Sequence, residues 1–156
     1  TNVLSLLFDD ADALGEYGVI LGASELRDYN AEIVVEDLMK KSGVFQSSDF
    51  GGRARLLHAL GAETATGTSA TVDDATSSAA GAIANLHVTA ATGAWTLKVQ
   101  DSPNDSAWSD LITFTSVTAA GGQTGSVAGT VDRYVRASFT ETSSGSCTFA
   151  ISLARK

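Results

Sequence analysis

The sequence holds a single cysteine, Cys147, and a single proline, Pro103. One cysteine excludes an intrachain disulfide framework. In "SCTFAISLA" it alternates with Phe149, Ile151 and Leu153, the setting of a small buried apolar residue. One proline excludes a proline-rich linker protein. Histidine is scarce too, with only His58 and His87. A zinc site needs about four N/S ligands, and two histidines and one cysteine far apart in the chain do not supply them. No apolar run approaches the ~20 residues of a membrane span. The start, "TNVLSLLFDDAD", lacks the basic region and long apolar stretch of a secretory signal. Positive charge is also in short supply. Ten Lys/Arg against 18 Asp/Glu give a net charge of −8, which argues against a basic nucleic-acid-binding face.

What is present suits a light β-fold. The 156 residues are 44% apolar, with few aromatics and abundant Ala, Thr, Ser and Gly, enough for one ordinary domain or two small ones with a packed core. The acidic excess is confined to one half. Residues 1–78 hold 13 Asp/Glu and 5 Lys/Arg, and residues 79–156 hold 5 of each. Solubility accounts for such a distribution; so does a surface that repels polyanions, with Asp9, Asp10, Asp12 and Glu16 as its candidate residues.

Residues 1–60 read as an acidic N-terminal region of mixed strand and helix. "NVLSLLF" and "YGVIL" are strand candidates. In "AEIVVEDLMKK", Ile33, Val34 and Val35 favour strand, while residues 36–41 suit a short helix. "RARLLHAL" fits either and is read as strand. Residues 61–81, "GAETATGTSATVDDATSSAAG", are nearly all small and polar, a loop or linker and a plausible domain boundary.

Residues 82–156 carry a clear period of two. Leu86, Val88 and Ala90 alternate with polar neighbours, as do Trp95, Leu97 and Val99. In "VDRYVRASF", Val131, Val135, Ala137 and Phe139 share one track, with Arg133 the exception; Asp132, Tyr134, Arg136 and Ser138 share the other. Five or six strands at short spacing, separated by turn signals such as "DSPNDSAW" and "TSSGS", predict an antiparallel β-sandwich. The fold class is thus mainly β, an antiparallel sandwich with a short mixed N-terminal region. Trp95, Trp108, Phe114, Phe139 and Phe149 are its candidate core anchors, with both tryptophans in the core or at an edge.

No catalytic, cofactor or metal constellation emerges. His87 lies on the polar track of a strand, with a solvated face as its default. No G-x-S-x-G elbow is present. "DDADALGE" has Asp10, Asp12 and Leu14 at the first, third and fifth positions of a calcium loop and Gly15 at the sixth, but Leu14 breaks the ligand pattern and the twelfth position is Leu21 rather than Glu. "GGQTG" lacks the ending of a phosphate loop. Arg133 and Arg136, flanking Tyr134, suit bidentate contact with a carboxylate, either across the sheet or between subunits.

The stretch beginning "LLHALGAETATG" and running through "LHVTA", "KVQDS", a Trp after the turn, "F-x-x-VT", "RYVRA" and a last strand ending in Arg resembles the C-terminal portion of major tail (tail tube) proteins of long-tailed bacteriophages. It covers about residues 56–155. Such proteins carry a fuller N-terminal tube domain, and residues 1–55 do not share the pattern. The resemblance implies a virion structural protein, made in the host cytoplasm. It would assemble with itself into a six-fold ring that stacks into a tube, meet other phage structural proteins, and touch DNA only as passing cargo. It implies no enzyme activity, no cofactor and no membrane. An acidic lining would keep the polyanion from sticking. The alternatives are a capsid decoration protein and a β-sandwich that docks on a glycan or host surface through Trp95 or Trp108.

Overall fold

A computed structural model of the chain describes residues 4–7, 14, 17–21, 24–32, 40–47 and 51–156, with side chains given for Leu14 and residues 53–156. Every element among the described residues is a strand: β1 (Leu4–Leu7), β2 (Tyr17–Leu21), β3 (Ser24–Glu32), β4 (Lys40–Ser47), β5 (Gly51–Glu63), β6 (Gly67–Thr68), β7 (Val72–Asp73), β8 (Ala82–Ala91), β9 (Ala94–Ser102), β10 (Ser109–Thr113), β11 (Gly121–Val127), β12 (Tyr134–Ser143) and β13 (Cys147–Arg155). Among these residues no helix is long and apolar enough to cross a membrane. Part of the 31–41 stretch, whose strand and helix readings were both open, lies outside the described residues; its last two residues open β4.

The strands form two packed antiparallel sheets. The larger has the order β1-β2-β5-β13-β8-β11; the smaller has the order β10-β9-β12-β6, with β7 also on β12. Strands β3 and β4 make a separate hairpin. The period-two residues meet between the sheets. Leu86 and Val88 from β8, Trp95, Leu97 and Val99 from β9, Val135, Ala137 and Phe139 from β12, and Cys147, Phe149, Ile151 and Leu153 from β13 form one continuous core. Trp95 is fully buried and donates its indole N–H to the Thr92 carbonyl at 3.1 Å. At the β8–β9 turn, Gly93 takes φ +72°, and a Cβ there would lie 2.3 Å from the Ser143 carbonyl oxygen. Only glycine suits both the angle and the space.

Trp108 departs from the expected core. The register between β10 and β9 shifts between Asp110 and Ile112. That extra residue reverses which face the strand presents. Ile112 and Phe114 enter the core, whereas Trp108 and Asp110, an even number of residues earlier, stand on the outer face. Trp108 is half-buried there, beneath the Arg136 guanidinium.

His87 is a second departure. The larger sheet is withdrawn from solvent on its far face as well. Ile83 and Asn85 of β8, Ser152 and Ala154 of β13 and Ala54 of β5 are all buried. Ala54, Ala154 and Ile83 stand in register across three strands and form an apolar cluster of their own. His87 belongs to this face and is half-buried instead of solvated. Burial lowers its pKa from the ordinary value, because the charged imidazolium loses hydration.

The small-polar stretch at residues 61–81 lies along β12. Gly67 and Thr68 pair with Phe139 and Ser138, and Val72 and Asp73 pair with Val135 and Tyr134. Ser69 accepts from the Ala137 N–H at 2.9 Å, and Thr66 accepts from the Glu141 N–H at 3.0 Å. Val72 reaches the core. The stretch thus covers a strand edge that would otherwise be open.

Candidate functional site

Polar side chains concentrate in three places. The first is the outer face of the smaller sheet, where β9, β10 and β12 run side by side. Their outward residues face each other because the registers Asp110↔Gln100 and Gln100↔Arg136 set them in one row. Lys98 and Gln100 donate to the Asp110 carboxylate at 2.6 and 2.9 Å. Arg136 donates twice to the Gln100 amide oxygen, at 3.0 and 2.9 Å, and its guanidinium lies 4.0 Å from the Trp108 ring centroid. The lysine and the glutamine hold the Asp110 carboxyl below its usual range. Burial lowers the pKa of Arg136. Lys98, Asp110, Gln100 and Arg136 are thus bonded to one another in a chain across the three strands.

The second place is the end of that face. Arg133 grips Asp73 bidentately, at 2.7 and 2.6 Å, and lies 4.8 Å above the Tyr134 ring. Arg133, joined by the Ala75 backbone N–H, lowers the Asp73 pKa to about 2. The Arg133 pKa is pushed above its ordinary range by the same bond. Arg133, Tyr134 and Arg136, expected either between subunits or in pairing, are engaged within the chain.

The third place is the end of β13. Arg155 uses all its N–H groups on one loop cluster. Nε donates to Asp74 at 2.8 Å. One terminal nitrogen donates to Ser78 Oγ at 3.2 Å and the Val131 carbonyl at 2.8 Å; the other donates to the Asp132 and Arg133 carbonyls at 2.5 and 3.4 Å. Arg55 adds an ion pair with Asp74 at 3.4 Å. An open cavity of about 210 Å³ lies beside this clasp, lined by Arg53, Arg55, Asp74, Leu153 and Arg155. The sequence pattern gave only a last strand ending in Arg; the partners of that Arg lie 22 to 81 residues away.

His58 is the histidine that alternation could not place. It is buried, stacked on Phe149 with centroids 4.1 Å apart and edge-on to Phe139 at 5.5 Å. Its Nε2 lies 3.1 Å from Glu63 and its Nδ1 3.3 Å from the Phe149 carbonyl oxygen. This is an aromatic seat inside the sandwich, with its Nε2 side turned to the partly exposed Glu63. Among the described residues no group of three or more His, Cys, Asp or Glu is placed to hold a metal ion. Burial raises the Cys147 thiol pKa, which disfavours the reactive thiolate.

Comparison with protein-family models, with curated proteins and with solved structures finds no match. The chain's own geometry therefore carries the reading. Of the sequence-derived candidates, Trp95, Phe114, Phe139 and Phe149 gather in one core, and Trp108 joins Arg136 outside it. Asp9, Asp10, Asp12 and Glu16 lie outside the described residues.

Proposed function

We propose that this protein is a structural subunit of a bacteriophage virion, a tail tube protein that assembles with itself into rings stacked as a tube around passing DNA. The observation that carries this reading is the fate of the polar side chains. Those on the outer face and at the β13 clasp are largely bonded to each other, while among the described residues the larger sheet ends in an uncharged strand, β11. Such a layout favours assembly through backbone edges over chemistry at a pocket. The likeness to tail tube proteins supports it further. Its elements fall on one structural unit: "LHVTA" in β8, "KVQDS" in β9, "RYVRA" across the start of β12 and the terminal Arg in β13. Two of them are direct partners, since Gln100, Asp101 and Ser102 pair with Arg136, Val135 and Tyr134.

The glycan-docking alternative retains one of its two anchors. Trp95 has no exposed surface, which leaves Trp108, and one face of that ring is covered by Arg136.

Electron microscopy and light scattering of the purified protein across ionic strength test the proposal. Rings and stacked rings are expected. A strict monomer at every salt concentration, at micromolar protein and above, would overturn it, and saturable glycan uptake by that monomer would turn the reading to a binding module.

A further inference from the structure

The sheets end in strands of very different character. In the smaller sheet, β10 has five residues, a register shift and the charged Asp110. On the opposite side, the stretch bearing β6 and β7 is bonded along β12 and covers it. These are the devices by which a sheet edge is kept from pairing with another chain. In the larger sheet, β11 has none of them. It pairs with β8 over seven consecutive positions, Gly121↔Val88 through Val127↔Ala82, without a shift. Its sequence, "GGQTGSV", has no charge and no proline. Among the described residues β11 is the terminal strand of its sheet. The strand is also held in place. The Gln123 side chain accepts from the Thr115 N–H at 2.8 Å and donates to the Thr115 carbonyl at 3.0 Å. Thr124 donates to the buried Asn85 side chain at 3.0 Å. At Gly125 a Cβ would lie 2.4 Å from Ile112, so β11 sits tight against β10. A regular, uncharged strand that ends its sheet among the described residues is a template for strand addition.

The geometry points to a second copy of this chain as the occupant, paired through β1. This deepens the assembly reading and rests on it. The larger sheet has β11 at one end and β1 at the other, and β1, "LSLL", is likewise uncharged and proline-free. In a chain of net charge −8, these two ends are where copies approach without setting carboxylate against carboxylate. Pairing two different edges is a heterologous contact, which closes into a ring or runs on as a filament; pairing β11 with itself would stop at a dimer.

Two variants test the contact. Gly121→Lys with Ser126→Lys puts charge on β11 at exposed positions, and a Cβ at Gly121 meets nothing within 4 Å. Ser5→Lys adds a charge to the sequence of β1. Sedimentation velocity reads assembly, and thermal melts check the fold of each variant. Each variant alone should need at least about tenfold more protein to form rings. Mixed, the two retain one intact edge of each kind and should give dimers containing one of each. Amide hydrogen exchange on the unaltered protein supplies a second readout, in which residues 121–127 should gain protection as rings form. Rings that persist in both variants, or exchange at 121–127 that assembly leaves unchanged, would overturn the edge assignment while leaving the assembly reading intact. Homodimers of the Ser5→Lys variant alone would overturn the head-to-tail arrangement. A wild-type chain that stays monomeric would overturn both.

Discussion

Replacing Arg155 should be among the most damaging single changes outside the core. Its guanidinium reaches five acceptors: the Asp74 carboxylate, Ser78 Oγ and the carbonyls of Val131, Asp132 and Arg133. The side chains of Arg155 and Asp74 are only 18% and 12% exposed. Hydrogen bonds to a charged group contribute about 1.5–3 kcal/mol each when well formed. Two of the five are long, at 3.2 and 3.4 Å, and the carbonyls can recover some water once the side chain is gone. Breaking a largely buried pair by removing one partner costs about 3–5 kcal/mol. With partial exposure the lower end applies, so Arg155→Ala should lose about 3 kcal/mol. Arg155→Lys separates charge from geometry. A lysine keeps the charge toward Asp74, but its compact ammonium cannot span the planar fan of acceptors. It should restore less than about 1 kcal/mol of the loss. Urea denaturation followed by tryptophan fluorescence measures both variants, at a protein concentration where the assembly state is known. A loss below ~1 kcal/mol for Arg155→Ala, or near-complete rescue by lysine, would refute the view of Arg155 as a geometric clasp.

Trp95→Ala should cost about 3–5 kcal/mol, the range for truncating a large buried aromatic, and a denaturation midpoint close to wild type would contradict its place in the core. Asp73 should titrate near 2 in the folded protein, about two units below an ordinary aspartate. Because that pKa is depressed, the pair's contribution is present above about pH 4 and fades as pH falls toward 2. Arg133→Ala should return the Asp73 titration toward the ordinary value, as followed by carboxyl-carbon NMR, and an unmoved midpoint would assign the shift elsewhere.

Much of the sandwich was legible because a strand with one buried face writes its own pattern. Trp95, Leu97 and Val99, and Val135, Ala137 and Phe139, alternate in the sequence and point inward together. Alternation fails where a strand gains a residue. Trp108, Asp110, Ile112 and Phe114 share one parity in the chain, yet the shift before Ile112 sends the first pair outward and the second inward. Nothing local in "SDLITF" announces that shift. Alternation also fails where both faces are covered. Asn85 and His87 read as a solvated track, but Asn85 has no exposed surface and His87 is half-buried. Long-range clasps leave even less trace. Arg155 meets Asp74, and His58 meets Phe149, across 81 and 91 residues, separations at which local spacing carries no information. Arg133 and Arg136 could be seen as pairing residues from their type and position, though their partners, Asp73 and Gln100, could not.

The distribution of charge separates two ways in which copies could hold together. Residues 53–156 carry eight Asp/Glu and seven Lys/Arg, and residues 1–52 carry ten and three. The sandwich is therefore close to neutral, and the surplus belongs to the N-terminal stretch. If copies met through guanidinium–carboxylate pairs, salt would weaken the assembly, since exposed ion pairs are screened at a Debye length of about 8–10 Å near physiological strength. Arg133 and Arg136 are already bound to Asp73 and Gln100 within their own chain, so a charged contact through these two would have to break those bonds first. If copies meet through the uncharged strands β11 and β1, the contact is indifferent to salt, while repulsion between the acidic N-terminal stretches of neighbours is relieved by it. Assembly should then strengthen as salt rises from tens to hundreds of millimolar. Its sign alone, read by light scattering, distinguishes an edge-paired tube from a charge-paired one.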